Sequence, residues 1–237
     1  MPGWSIVSKS RPSTMFQRGV EALKNLLFPL FCLECKAEGE LWCETCFVKT
    51  RARPFSWDPN EQSSSRNSNE QPKAATFLNK VTALCLYEES KIISECIRLL
   101  KYNFQTDHAS VWRRLLSFPN LKKDFVCIPV PLHARRLRER GFNQAEYLAR
   151  VVAANHGLDI VTTNLARRRH TKQQARLKKS EREKNVRNTF VWQGGAAPPR
   201  VYLVDDVYTT GATMNACAAA LQQAGVEEIE GLVVARG

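Results

Sequence analysis

The run VYLVDDVYTTGATM, residues 201–214, sets two adjacent carboxylates, Asp205 and Asp206, between an apolar stretch and a short Thr/Gly-rich turn. Thr209, Thr210, Gly211, Ala212 and Thr213 read as the turn that opens a helix. Glycine lets a ligand approach the backbone closely, hydroxyl donors precede it, and the N–H groups of a first helical turn face outward, which is how a chain cradles a phosphate. Carboxylates beside such a cradle suit a ligand that carries a phosphate together with a metal ion or vicinal hydroxyls, and a ribose 5-phosphate fits both. An isolated Asp–Asp pair is equally explained as the end of a strand and the cap of a helix. The full run is the more specific signal.

A second constellation lies near the start. In CLECKAEGELWCETC, Cys32 and Cys35 form one C-x-x-C and Cys43 and Cys46 another. Two such pairs bring four thiolates within reach of one tetrahedral ion, and Zn2+ is the metal expected in a reducing compartment. Gly39 permits the tight return between the pairs. Two disulfides and an iron–sulfur cluster are the competing readings; four thiolates leave no open position for catalysis. Cys85, Cys96, Cys127 and Cys217 stand in apolar settings and are expected to pack in the core.

The charge is localised. The 237-residue chain has a formal net charge of +12, and residues 131–187 hold 15 Lys/Arg against five Asp/Glu, which accounts for most of the excess. A polyanionic partner is expected for this region, whether a phosphorylated small molecule or nucleic acid. Within it, RRRHTKQQAR carries no acid and is expected to face an anion, whereas residues 178–184 mix signs as a solvated helix does. Phe190, Trp192 and Tyr202 are not spaced as a stacking platform for bases.

The elements that must position these groups follow from periodicity. Residues 82–87, 124–130, 159–165, 201–205 and 229–235 read as strands; 89–102, 108–117, 143–157 and 211–224 read as helices. The helix after residue 143 is well marked, with Asn143 as cap, Glu146 completing a capping box and Gly157 as terminator. Alternating strands and helices imply an α/β fold with a parallel sheet flanked by helices, and ligands of such sheets bind beyond the carboxyl ends of the strands. Asp205 and Asp206 fall at that edge. Residues 1–27 are read as an N-terminal tail and short helix, with Met15 a second candidate start; 28–50 as the four-cysteine zinc knuckle; 51–76, rich in Ser, Asn, Gln and Pro, as a linker; and 77–237 as the main domain. No apolar run approaches the ~20 residues of a membrane span, and LLFPLFCL lacks a cleavage pattern, so a cytoplasmic protein is expected.

LVDDVYTTGAT resembles the phosphoribosyl pyrophosphate (PRPP) loop of type I phosphoribosyltransferases. Together with PVPLHARRLRERGFNQAEYLA (129–149), LARRRHTKQQARLKKSEREKNVRNTF (165–190), LLKY (99–102) and the four-cysteine knuckle, the chain is similar to the ComF family over most of residues 26–237. That family joins a zinc knuckle to a phosphoribosyltransferase-like body and is associated with DNA uptake in natural transformation. The resemblance implies that Asp205 and Asp206 address ribose hydroxyls and Mg2+, and that Thr209, Thr210, Gly211, Ala212 and Thr213 hold the 5-phosphate. Pro131, Leu132, His133, Arg138, Arg140, Gly141, Phe142, Asn143 and Gln144 match its second motif; Arg167, Arg169, Thr171, Gln174, Leu177, Arg182 and Asn185 match its third. Arg138, Arg140, Arg169 and Arg182 are the candidates for stabilising a leaving pyrophosphate. The sequence departs from the family at KYNFQ, where a glycine often follows Lys-Tyr.

His156, beside Gly157, is explained by a helix C-terminus, while His133 and His170 lie in the shared motifs and have no metal-ligand partner at useful spacing. The leading expectation is a PRPP-binding, phosphoribosyltransferase-like protein whose acceptor is not encoded in any recognisable motif. Its rival is a non-catalytic protein that reuses the PRPP fold to bind single-stranded DNA or competence proteins.

Overall fold

The computed structural model describes residues 29–50, 52–61, 76–102, 109–168 and 189–237. The chain divides into two compact units, residues 1–50 and 51–237.

The first unit holds the cysteine knuckle. A bridge between Phe31 and Glu38 and hydrogen bonds from Gly39 N to Leu30 O and from Cys32 N to Ala37 O, both 2.8 Å, fold the first C-x-x-C into a tight return. Gly39 takes φ +121°, as the expected turn requires. Helix α1, Glu44–Thr50, follows the second pair. Trp42, 1% exposed, meets Phe47 edge-on at 4.9 Å and gives this small unit an apolar centre.

The second unit is a six-stranded sheet in the order β1-β2-β8-β7-β3-β4, with β1 at Phe55–Trp57, β2 at Lys80–Leu86, β3 at Val126–Pro129, β4 at Asp159–Ile160, β7 at Arg200–Tyr208 and β8 at Glu228–Arg236. Every pairing is parallel except that of the edge strand β1 with β2. In β8 the seven residues between Glu228 and Arg236 are all buried, the pattern of a central parallel strand covered on both faces. A separate antiparallel ribbon pairs β5, Leu165–Arg167, with β6, Phe190–Trp192. The α/β architecture is thus the one expected.

Helices α2 (Lys91–Tyr102), α3 (Ala109–Leu115), α4 (Ala134–Arg140), α5 (Gln144–His156) and α6 (Ala212–Gln223) fill the connections. Helix α5 buries Ala145, Leu148, Ala149, Val152 and Ala153 as one stripe and packs on β3, β4 and β7. Its cap works twice: the Asn143 side chain accepts from Ala145 N at 3.1 Å and donates to Val130 O at 3.0 Å, so the helix start is tied to the end of β3. The capping box is only half formed, because Glu146 Oε1 accepts from Arg150 (2.7 Å) rather than turning back. Helix α6 is rich in alanine, which brings it close to the sheet; a β-carbon at Gly231 of β8 would stand 2.8 Å from Met214 Sδ.

Four boundaries differ from the sequence reading. Residues 55–57, placed in the linker, form β1, because Phe55 and Trp57 can pair and stack beside β2; of the rest of that segment, residues 62–75 lie outside the described residues. The basic turn after β3 contains α4, capped by His133. The strand expected over 159–165 is two pieces, β4 in the main sheet and β5 in the ribbon. Finally, β7 runs three residues past Asp205, to Tyr208.

Candidate functional site

Because β7 continues to Tyr208, the acidic pair sits within a hydrogen-bonded strand, with Asp205 in register with Val233 of β8. Successive strand residues point to opposite faces, but both carboxylates line one cavity and interact with each other. Asp206 is buried, 5% exposed, and pairs with Lys101 from the last turn of α2. Asp205 turns one oxygen to the backbone N–H of Asp206 at 2.8 Å. Burial and the neighbouring Asp206 push the Asp205 carboxyl well above the usual range, against the pull of the Asp206 N–H and Lys101. Crowded carboxylates of this kind hold either a proton or a cation.

Asp205 and Thr213 lie on the wall shared by two cavities. The larger, about 580 Å³, is lined by Asp205 and Asp206 together with Lys101, His133, Arg135, Arg136, Arg140 and Arg167. Its cations come from three places in the chain: the end of α2, the short helix α4 after β3, and the ribbon strand β5. Arg140 donates to Gln144 Oε1 at 3.1 Å, and Arg135 to Glu139 at 2.8 Å. The Arg167 guanidinium lies over the Phe190 ring, 5.4 Å from its centroid, and its Nε is buried without a hydrogen-bond partner among the described residues.

The smaller cavity, about 60 Å³, is enclosed by Val207 to Met214, the expected phosphate turn. Gly211 takes φ +75° at the N-cap of α6, and a β-carbon there would collide with the ring and hydroxyl of Tyr208. Glycine is therefore required twice over, by conformation and by space. Tyr208 forms the floor of this turn and meets Trp57 edge-on at 5.3 Å, while Arg236 lies over Trp57 at 4.5 Å. The Ala212 N–H makes a long hydrogen bond, 3.3 Å, to Thr210 Oγ1, so one amide of the turn is held by the chain itself.

Of the expected site residues, the structure brings together Asp205, Asp206, Arg140 and Thr213 in one cavity, with Thr209, Thr210, Gly211 and Ala212 in the adjoining one. Arg138 is on α4 but does not line the larger cavity; Arg135 and Arg136 do. Arg169 and Arg182 lie outside the described residues, as does His170. His133 lines the cavity, and its Nδ1 accepts from Arg135 N at 3.1 Å as the cap of α4. His156 meets Leu116 O at 3.2 Å through Nε2, away from the site. Lys101, Arg135, Arg136 and Tyr208 are contributors that the sequence reading left without a role. For Lys101 the LLKY motif was the available signal.

In the first unit, the sulfurs of Cys32, Cys35, Cys43 and Cys46 all lie within 4.8 Å of one another, with Cys35 and Cys43 Sγ 3.6 Å apart. A tetrahedral ion with sulfur ligands at about 2.3 Å needs edges of about 3.8 Å, so four cysteines on this scale could hold a metal such as zinc. All four are unbridged. Burial works to raise the Cys32 thiol, but the N–H groups of Cys43, Cys35 and Glu34 outweigh it and bring it down to about 6. Burial and the three other cysteines push Cys46 the opposite way. Crowded thiols that cannot all ionise unaided are a donor set that a divalent cation would complete.

No helix among the described residues is long and apolar enough to cross a membrane. No protein-family model matches the chain. Among curated proteins it is 40% identical to competence protein F of Haemophilus influenzae over 115 residues, 46% of this chain and 49% of that protein. It is 34% identical to competence protein ComFC of Bacillus subtilis over 52% of this chain and 47% of that protein, and 30% identical to ComFC of Streptococcus pneumoniae over 46% of each. The chain thus spans about half the length of these relatives. The motifs, the cysteine cluster and these similarities agree: over about half its length the chain is similar to competence proteins F and ComFC.

Proposed function

We propose that this protein binds Mg2+-PRPP, or a closely related phosphorylated ribose, and acts as a phosphoribosyltransferase-like component of DNA uptake in the cytoplasm. The observation that carries the reading is the position of Asp205, on the wall common to a cationic cavity of about 580 Å³ and the Thr/Gly turn cavity of about 60 Å³. A terminal phosphate in the turn and a diphosphate in the cationic cavity would span the acidic pair, as a ribose with phosphates at both ends demands. The carboxylates of Asp205 and Asp206 are hard oxygen donors, the kind Mg2+ takes together with substrate phosphates. Mg2+, when bound, would neutralise part of the pyrophosphate charge.

The chain's own groups account for the rest. Thr209 to Thr213 hold the 5-phosphate against the α6 N-terminus. Arg140 and Arg167, with Arg135 and Arg136, face the negative charge that grows as the C1–O bond to pyrophosphate breaks and the acceptor's attacking atom bonds to C1. Arg169 and Arg182 keep their proposed roles from the motif alone, and Arg138 is the weakest of the motif-derived candidates because it lies off the cavity lining. In the first unit Cys32, Cys35, Cys43 and Cys46 are assigned to structural Zn2+. Metal analysis of the purified protein tests this: at least about half an equivalent of zinc is expected, and less counts against the site.

Calorimetric titration with PRPP, with and without Mg2+, tests the main reading. Saturable binding that needs Mg2+ and vanishes when Asp205 and Asp206 are both changed to Asn supports it; full affinity in that double variant refutes it. The second reading, a binding protein for single-stranded DNA or competence partners, is favoured by the cationic cavity and the relatives' names. It requires a DNA affinity that falls steeply with salt and no pyrophosphate release with any nucleobase.

A further inference from the structure

Lys101 is placed to do more than balance charge. It comes from the last turn of α2, pairs with Asp206 Oδ2, and lines the cationic cavity together with Asp205 and Arg167. Asp206 is almost wholly buried, its side chain 8% exposed, whereas Lys101 is 26% exposed on the cavity side. A buried carboxylate needs a counter-charge at all times. In the structure Lys101 supplies it, and in doing so occupies one of the oxygens that a divalent cation on the acidic pair would use. A cation ligated through Oδ2 would displace the ammonium from it.

The displaced group has somewhere to go. A lysine ammonium is a compact charge on a flexible four-carbon stem, able to re-aim without moving its helix. The cavity it already lines is walled by Arg135, Arg136, Arg140 and Arg167, a setting that attracts a polyphosphate. Beyond the acidic pair itself, the acid on that wall is Glu139, which is engaged by Arg135 and so does not trap the lysine. We propose that Lys101 is the resident counter-ion of the acidic pair, exchanged for a divalent cation when a phosphorylated ligand enters, and then a direct ligand of that phosphate. This rests on reading the acidic pair as a metal and PRPP site. The exchange makes metal binding alone unfavourable and metal binding with ligand favourable, so the two are coupled, and the coupling is reciprocal.

The test uses the full chain and Lys101→Gln. Mn2+ alone is titrated by electron paramagnetic resonance, and inorganic pyrophosphate alone by calorimetry in chelator. Relative to wild type, the variant is expected to bind Mn2+ about 10-fold more tightly and pyrophosphate about 10-fold more weakly, within the usual span of coupling effects. Unchanged or weaker Mn2+ binding, or no Mn2+ binding by either protein, overturns the counter-ion role; unchanged pyrophosphate affinity overturns the phosphate role. Thermal melts guard against a merely unstable variant: Lys101→Gln should lose stability in chelator and regain more of it on adding Mg2+ than wild type gains. Equal gains overturn the exchange. The paired Asp205→Asn, Asp206→Asn variant separates this inference from the reading beneath it. If that variant keeps PRPP affinity, the site assignment falls; if it loses PRPP but Lys101→Gln shows no exchange, only the role of Lys101 falls.

Discussion

Both ends of the parallel sheet carry clusters of charged groups and use them differently. At the amino ends of the strands, Lys122 Nζ bridges Glu228 at 2.6 Å and Glu230 at 3.0 Å, Arg200 pairs with Asp124, and the Tyr202 hydroxyl, stacked under Phe125 at 4.4 Å, accepts from Lys122 N at 2.8 Å. Asp124, Glu228 and Glu230 each have a base, and this cluster closes on itself. At the carboxyl ends, Asp205 and Asp206 face several cations across a cavity of about 580 Å³, and Arg167 Nε has no hydrogen-bond partner among the described residues. A charge cluster with its partners in-house holds strands in register. One opened onto a cavity leaves room for a ligand among its charges.

The largest expected effect tests the open end. Changing Asp205 and Asp206 to Asn removes two charge-assisted contacts of roughly 1.5–3 kcal/mol each, so PRPP affinity should drop at least about 100-fold in calorimetry while the thermal melt stays near wild type. A large loss of stability instead would make the pair a structural device like the other end. Gly211→Ala should weaken PRPP binding by about 10-fold and cost about 1–3 kcal/mol in denaturant unfolding, since a strained backbone and a displaced Tyr208 both follow. Lys122→Met should do the reverse: about 1 kcal/mol of stability lost through the buried Glu230, discounted because Lys122 is half exposed, and PRPP affinity unchanged. Any effect of Lys122→Met on ligand binding would erase the contrast. The smallest effect belongs to Arg135→Gln, whose exposed pair with Glu139 is worth under about 1 kcal/mol; stability should barely move, while pyrophosphate affinity falls a few-fold.

The open end was also the more legible one. Asp205, Asp206 and the Thr/Gly turn are contiguous, so their joint chemistry is written in one stretch of sequence, as are the paired cysteines and the Asn143 cap. Lys101, Arg135 and Arg136 could not be assigned in that way, because their meeting depends on the tertiary arrangement that brings the end of α2 and α4 to one cavity. Tyr208 was hidden for a subtler reason: it follows the aspartates as an ordinary strand residue, and only the left-handed Gly211 above it reveals that its ring is part of the turn. Strand β1 was lost in polar surroundings, since three residues give periodicity too little length to register.

The contact between Trp57 and Tyr208 gives this turn an optical readout. Indole emission responds to nearby charge and to changes in ring packing, and Trp57 has a tyrosine edge on one side and the Arg236 guanidinium over its face. On the proposed reading, an anion settling above Gly211 would lie close to the same tyrosine ring. The difference between the emission spectra of wild type and Trp57→Phe therefore isolates one indole expected to report occupancy of the turn, without a label and without any assumption about a reaction.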